Sequence, residues 1–223
     1  MKRFDVLRGV SLGFSAVAAG ALLLVAGFLL WASLPALSHE GLGLFGTATW
    51  AYRKARFGAA AMLYGTAVVS GIALLLAAPL GIATALFVSE VLPQRFRTAA
   101  KVVVELLAGS PSVVYGLLGV LFLRSWMQSL TERLGWETLS GDTLLTAGVL
   151  LAVMILPTIV SLAEDAFEAV PASRRDAARG LGLTRAETCL TVVVPMAAPG
   201  LVGAVLLALG RALGETTAVF LVV

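Results

Sequence analysis

Charged residues are scarce in this chain, and their scarcity excludes a water-soluble globule. Of the 223 residues only 13% are charged, whereas 59% are hydrophobic. A soluble domain of ordinary composition carries about a quarter charged residues, so this sequence has too few to coat a surface in water. Composition alone therefore predicts a membrane protein.

Reactive side chains are scarce as well. The sequence contains one cysteine, Cys189, and one histidine, His39. A lone cysteine can form neither an internal disulfide nor a thiolate metal site. The sequence also lacks a G-x-x-x-x-G-K-[ST] phosphate loop, so we expect no P-loop binding of ATP by this chain. With no nucleophile–base or metal-ligand pattern present, we expect a protein that is not an enzyme. We also expect no metal, no cofactor and no nucleic-acid partner.

Long apolar runs are what the sequence does contain. No charged residue occurs from 9 to 38 or from 57 to 89. A spanning helix needs about 20 apolar residues, and the first run is too long for a signal-peptide core of about 7–15 residues. We predict an all-α, polytopic membrane helical bundle that forms a single transmembrane domain over residues 1–223. The predicted spans lie at about 12–36, 62–88, 100–124, 143–165 and 195–221.

The basic residues predict a cytoplasmic N-terminus. In that orientation ten Lys and Arg residues lie on the inner side and five on the outer side, with Arg211 inside a span, as the positive-inside rule requires. The outer cluster Arg53, Lys54 and Arg56 runs against the rule. Tryptophans gather at membrane interfaces, and all four fall at the predicted outer side: Trp31, Trp50, Trp126 and Trp136.

The chain reaches Val223 within an apolar run, and five spans would leave that end on the outer side. We therefore expect a sixth span beyond it. A natural five-span protein is the alternative.

The loop at about 166–194 is the one long charged stretch on the predicted inner side, and it carries ordered helix signals. A proline stops a helix, a glycine can close one in the left-handed conformation, and a hydroxyl residue followed three positions later by an acidic residue can begin one. Here these signals are Pro171, Gly182, Ser173 with Asp176, and Thr184 with Glu187. They predict two short helices that hold a shaped surface, rather than a merely solvated loop.

This loop resembles a known motif. Asp176-Ala177-Ala178, then three residues and Gly182, then nine residues and Val192-x-Val194-Pro195, is similar to the E-A-A-x3-G-x9-I-x-L-P loop of ABC importer permeases. The departures are Asp for Glu, Val for Ile and Val for Leu. The resemblance implies the MetI-like fold of type I importer permeases. It also implies that Asp176, Ala177, Ala178 and Gly182 form a surface that docks a separate ATPase subunit.

Two further stretches narrow the resemblance. They are Leu106-Leu-Ala-Gly-Ser-Pro-Ser-Val-Val-Tyr-Gly116 and Gly210-Arg-Ala-Leu-Gly-Glu-Thr-Thr-Ala-Val219. Both look like the permeases of Pst-type phosphate importers, and the second is closer to the C-type than to the A-type subunit. The resemblance implies inorganic phosphate as cargo and the bacterial inner membrane as location. The implied partners are an A-type permease subunit, a dimer of ATP-binding subunits, an extracytoplasmic phosphate-binding protein and membrane lipid.

Arg211 and Glu215 are the first candidates for the cargo pathway. Four positions apart, they share one face of a helix, and charges in mid-membrane are costly enough that they face the bundle interior or a path. Arginine suits an oxyanion because its fork donates two parallel hydrogen bonds. A structural i,i+4 ion pair between Arg211 and Glu215 is the alternative, and the two roles are compatible.

Ser110 and Ser112 are the other candidates. They flank Pro111, which predicts a break in the third span whose hydroxyls could meet cargo or satisfy freed backbone groups. Tyr115 is expected to pack, and Lys101 with Glu105 is expected to form a structural i,i+4 pair. Glycines at 203, 210 and 214 would allow a partner helix to approach closely.

Three alternatives remain open on sequence grounds. A permease of the same fold could carry another oxyanion, such as sulfate or molybdate. A secondary transporter is disfavoured by the short chain, which has no clear inverted repeat, and by the loop. A membrane-embedded enzyme is remote because no reactive constellation is present.

Overall fold

The computed structural model describes residues 2–51, 56–133, 135, 141 and 143–222. Arg53, Lys54 and Trp136, which contributed to the orientation prediction, lie outside the described residues. Within the described part, five helical stretches are long and apolar enough to cross a membrane. They are Arg8–Glu40, Ala60–Val91, Ser112–Arg133, Leu144–Glu168 and Arg185–Gly214. The prediction of an all-helical membrane bundle is therefore confirmed.

The chain divides into two compact units, Met1–Tyr64 and Gly65–Val223. In the first unit, helix α1 (Lys2–Glu40) is apolar on all sides and exposed along almost its whole described length, as a lipid-facing span would be. A short helix, α2 (Gly43–Gly46), follows. Two antiparallel two-residue strands, β1 (Trp50–Ala51) and β2 (Arg56–Phe57), complete the described part of this unit before α3 begins.

Helix α7 (Leu144–Glu168) lies at the centre of the second unit, and most of its apolar window is buried. It packs against α3 (Ala60–Leu86) and α10 (Val194–Gly214). Small residues allow the close approach. A Cβ added to Gly81 of α3 would lie 2.7 Å from Ile159 Cγ2, and one added to Gly148 of α7 would lie 2.6 Å from Ile72 Cγ2.

The third apolar stretch is not one helix. Helix α4 (Gln94–Ala108) ends before Gly109, and α5 (Ser112–Leu118) begins after Pro111. The expected break is therefore present. The continuous span predicted at 100–124 is interrupted because Pro111 has no N–H to continue the α4 hydrogen-bond ladder.

Several helices continue into π-helical turns, the first at Phe87–Val91 after α3 and the second at Gly119–Leu123 after α5. Helix α6 (Arg124–Arg133) follows the second turn. The third turn, Cys189–Val193, leads into α10.

The charged loop folds into two short helices, as predicted. They are α8 (Ala172–Gly180) and α9 (Arg185–Thr188). After α10 the chain leaves the helical conformation at Glu215 and forms α11 (Thr217–Val222).

Candidate transport pathway and coupling surface

The break between α4 and α5 leaves the carbonyl end of α4 without a continuing helix. The last carbonyls of a helix have no intrahelical donor, and each carbonyl here receives a donor from elsewhere. The Ser110 hydroxyl donates to the Leu106 carbonyl at 3.0 Å, and the buried Tyr115 hydroxyl donates to the Leu107 carbonyl at 2.9 Å. The packing residue Tyr115 therefore also completes the hydrogen bonding of the break.

Arg211 of α10 supplies the donor for the last residue of α4. Its Nη1 and Nη2 each lie 3.2 Å from the Ala108 carbonyl oxygen, and Nη1 also donates to Thr158 Oγ1 at 3.0 Å. A cation at a helix C-terminus is favourable because the carbonyl dipoles end there. The carbonyl and the hydroxyl that accept from Arg211 are neutral. Among the described residues, no carboxylate forms an ion pair with Arg211. The guanidinium is half-buried, and no carboxylate of the described residues neutralises its charge.

The predicted ion pair between Arg211 and Glu215 is not formed between these two described residues. Helix α10 ends at Gly214, and Glu215 has an extended backbone with ψ 101°. The i,i+4 relationship that would place both side chains on one face therefore does not hold. The Glu215 carboxylate instead accepts a hydrogen bond from the Ala218 backbone N–H at 3.0 Å, at the start of α11.

Glu215 lines a cavity of about 270 Å³ between α3, α7 and the end of α10. Most of the lining is apolar, and the polar side chains that share it with Glu215 are Thr66, Ser70 and Thr216. Arg211 is not among the residues that line this cavity. The structure thus places the two candidate charges in different surroundings.

The serine candidates flank the break as predicted. The Ser110 hydroxyl donates a hydrogen bond to the Leu106 carbonyl in the preceding turn. Ser112 begins α5 and is half-buried. The glycines at 203, 210 and 214 have no atom of the described chain within 4 Å of an added Cβ. The close approach predicted for them is therefore not made by the part of the chain that the structure describes.

Three of the four local signals of the charged loop were right, and the first of them is Pro171, which follows the end of α7 at Glu168. Gly182 adopts the left-handed conformation with φ +90°. Thr184 and Glu187 form the full capping box, in which Glu187 Oε2 accepts from the Thr184 N–H at 2.8 Å. The capping box predicted at Ser173 and Asp176 is wrong. Helix α8 starts earlier, with Pro171 at the N-cap position and no side-chain cap, so Ser173 already lies within the first turn and cannot cap it.

The predicted docking residues lie on different sides of α8. Asp176 is exposed, with 73% of its side chain accessible and Arg179 Nη1 3.9 Å away, and Ala177 is exposed beside it. Ala178 is only 6% exposed, so it packs α8 against its own chain. Gly182 is exposed, and the outward surface is formed by Asp176, Ala177 and Gly182.

Lys101 joins α4 to the end of α7 rather than pairing with Glu105. Its Nζ lies 3.1 Å from Asp165 Oδ1 and 3.9 Å from Glu168 Oε2. The predicted i,i+4 pair is replaced because α7 brings two carboxylates to this end of α4.

The described part of the chain is a multi-pass helical bundle with a broken helix, a half-buried arginine and an ordered charged loop. The chain belongs to the family of binding-protein-dependent transport system inner membrane components, whose profile matches residues 77–223. It is accordingly a multi-pass protein of the inner membrane.

Curated relatives extend the match over most of the chain. The phosphate transport system permease protein PstC of Mesorhizobium japonicum is 40% identical over 205 residues, which are 86% of this chain and 63% of that protein. PstC of Xylella fastidiosa is 35% identical over 87% of this chain and 64% of its own length. The probable PstC of Methanocaldococcus jannaschii is 33% identical over 90% of this chain and 68% of its own. The chain thus spans less than two thirds of the length of the first two relatives. The identities over most of this chain confirm the resemblance to Pst-type permeases.

A solved structure shares the fold. Inward-facing MetNI methionine ABC transporter gives a TM-score of 0.53 at 22% identity, covering 70% of this chain and 68% of the transporter chain. This likeness confirms the MetI-like fold.

The contacts that sequence reasoning missed are long-range. Arg211 meets residues 53 and 103 positions away, at Thr158 and Ala108. Nothing in the local pattern marks Thr158 as its partner. The available signal was the cost of a charge in a span, which required some polar partner for Arg211 but did not identify it.

Proposed function

We propose that the chain is the transmembrane permease subunit of an ATP-driven importer of inorganic phosphate. The observation that carries the proposal is the half-buried guanidinium of Arg211, which is held by a carbonyl and a hydroxyl rather than by a carboxylate. An anion competes well for such a group because it can accept two parallel hydrogen bonds from the guanidinium and carries the opposite charge, whereas the carbonyl and the hydroxyl are neutral acceptors. The PstC relatives support phosphate as that anion.

The broken helix supports a pathway at this place. Irregular backbone at membrane depth is tolerated where it is buried in protein or lines a cavity, and Ser110 and Ser112 flank the break beside the Ala108 carbonyl that holds Arg211. An arriving phosphate would take the guanidinium from that carbonyl. Ser110 and Ser112 would then provide neutral hydroxyl donors. Glu215 would line the neighbouring part of the path and repel a misplaced anion.

The coupling surface supports ATP-driven transport. Asp176, Ala177 and Gly182 form the exposed side of the loop, and we propose that a dimer of ATP-binding subunits docks there. Ala178 holds α8 in place from its buried side. A second, A-type permease subunit would complete the pathway, and an extracytoplasmic phosphate-binding protein would deliver cargo. The basic residues favour a cytoplasmic N-terminus in a bacterial inner membrane. We propose that the two compact units belong to one permease domain.

Phosphate uptake by cells that lack this gene tests the proposal. Radiolabelled phosphate is supplied at limiting concentration, and the full-length gene is restored on a plasmid. Restored uptake that also requires the partner ATPase supports the proposal. Uptake unchanged by the deletion, in cells without a redundant importer, contradicts phosphate as cargo.

Competition with sulfate and molybdate separates the same-fold alternatives. Inhibition of uptake by one of these anions, together with loss of its own uptake in the deletion, would assign that anion instead. Uptake that survives loss of the ATPase would assign a secondary transporter.

A further inference from the structure

Arg175 fastens the charged loop to the ends of two spans. It lies in α8 with 18% of its side chain exposed. Its Nη1 donates to the Val170 carbonyl at 2.8 Å, and its Nη2 donates to the Phe167 carbonyl at 2.7 Å and to Glu90 Oε1 at 2.8 Å. We call Arg175 and these three acceptors the Arg175 junction.

Each acceptor lies at or just beyond the end of an element. The Phe167 carbonyl lies in the last turn of α7 and also accepts from the Val170 N–H at 3.2 Å, and the Val170 carbonyl lies two residues beyond α7. A cation is favourable at this end of the helix. Glu90, only 17% exposed, belongs to the π-helical turn after α3. A planar guanidinium can serve several acceptors at fixed angles, whereas a lysine ammonium is a point charge on a flexible stem. Arginine can therefore serve all three acceptors of the junction, whereas lysine would keep only some of the contacts.

Helix α4 is fastened to the same turn. Arg97 donates through Nε to the Val88 carbonyl at 3.1 Å and through Nη2 to the Ser89 carbonyl. The π-helical turn that presents Glu90 is therefore held from two sides, by α8 through Arg175 and by α4 through Arg97.

Helices α7 and α4 both lead from the junction to Arg211. Phe167 and Thr158 are nine residues apart on α7, about 14 Å along the helix axis, and Thr158 accepts from Arg211. Helix α4 starts near Arg97 and ends at Ala108, whose carbonyl also accepts from Arg211. Helices α7 and α4 thus both contact Arg211. Toward its other end, α7 binds Arg175 of the loop, and α4 binds the π-helical turn beside it through Arg97.

We propose that Arg175 is the positioning residue that passes movement of α8 to α7 and to the end of α3, and so to Arg211. The inference rests on the proposed function, because it assumes that a partner ATPase moves α8. Arg175 does not contact cargo. Its role is to keep the loop and the spans moving as one body, so that its loss separates ATP hydrolysis from opening of the pathway.

The test uses the complete complex of permease subunits and ATPase in lipid bilayers. A cysteine placed at exposed Gly214, in a Cys189→Ala background, reports by its rate of thiol labelling whether ATP changes access beside Arg211. The same samples give ATP hydrolysis and, in cells, uptake. The variants are Arg175→Ala, Arg175→Lys and Glu90→Gln. Arg95→Ala is the matched control, because Arg95 is an exposed arginine of α4 that contacts the Phe96 ring at 4.7 Å.

We expect Arg175→Ala to retain ATP hydrolysis, to lose the ATP-dependent change in labelling and to lower uptake at least tenfold. Arg175→Lys and Glu90→Gln should each lose part of the labelling change, since each keeps some of the three contacts. Arg95→Ala should behave as the unsubstituted protein.

The inference is overturned if Arg175→Ala keeps the full labelling change, or if uptake falls only in proportion to the amount of assembled complex. If Arg175→Ala does not assemble, normal labelling changes in both Arg175→Lys and Glu90→Gln overturn it. An unsubstituted complex without any ATP-dependent labelling contradicts the proposed function itself, and the inference with it. The labelling readout does not depend on which anion is carried.

Discussion

The guanidinium of Arg211 and the backbone carbonyl of Ala108 are joined by two hydrogen bonds of 3.2 Å. The two residues are 103 positions apart, and they meet because α4 stops at Ala108 just before Pro111. A carbonyl within a continuous helix would already have its donor. The helix break and Arg211 therefore form one feature, in which the neutral carbonyl of Ala108 binds and positions the guanidinium.

Removal of the Thr158 hydroxyl should weaken transport without abolishing it. Thr158→Val keeps the shape of the side chain but removes the 3.0 Å acceptor of Arg211 Nη1. A hydrogen bond to a charged group contributes about 1.5–3 kcal/mol, and Arg211 keeps its Ala108 contact. We expect the maximal uptake rate to fall about tenfold, measured with equal amounts of protein in the membrane. Thr158→Ser, which keeps a hydroxyl, is the control. Equal uptake by Thr158→Val and the unsubstituted protein would show that this contact does not position Arg211.

Repair of the helix break should stabilise the protein and impair transport. In Pro111→Ala the new N–H could donate to the Leu107 carbonyl, and the Ser112 N–H could then reach Ala108 and displace Arg211. A proline inside a helix costs about 3 kcal/mol, so we expect an unchanged or higher melting temperature together with reduced uptake. Pro199→Ala is the control, because Pro199 lies inside the continuous helix α10. Unimpaired uptake by Pro111→Ala would show that the break is not needed for the pathway.

The features that the sequence could predict are local ones. Apolar runs place the spans because length and hydropathy decide insertion, and Gly182 and Thr184 act through neighbouring residues alone. The Ser173 cap failed because Pro171 had already begun the helix. The Arg211–Glu215 pair failed because α10 ends at Gly214, one residue before its second member.

The contacts that could not be predicted join residues distant in sequence. Glu90 and Arg175 are 85 positions apart, and Arg211 and Thr158 are 53 apart. Their pairing depends on how α3, α7, α8 and α10 pack, and no periodicity of 3.6 residues carries that information. The rule that a charge in a membrane needs a partner pointed to Arg211, but only the fold identifies the partner.

Substitution of Gly182 should act through its backbone. With φ +90° it lies in a conformation that L-residues rarely adopt, and an added Cβ would meet nothing within 4 Å. Left-handed backbone costs a residue with a Cβ about 1–2 kcal/mol, and asparagine tolerates it better than alanine or valine. We expect Gly182→Val to lower the ratio of cargo transported to ATP hydrolysed, and Gly182→Asn to lower it less. Equal ratios for both variants and the unsubstituted protein would place the docking surface elsewhere.

The most direct test of the account is uptake by the Arg211→Ala protein. Cells that lack the gene are restored with the unsubstituted gene or with Arg211→Ala, and radiolabelled phosphate uptake is measured at limiting phosphate. Co-purification with the partner subunits confirms that both proteins assemble in the membrane. We predict that uptake by Arg211→Ala falls to the level of the deletion. The pathway then lacks the guanidinium that would bind the anion in place of the Ala108 carbonyl. Uptake by the assembled Arg211→Ala protein that equals that of the unsubstituted protein would contradict a cargo role for Arg211.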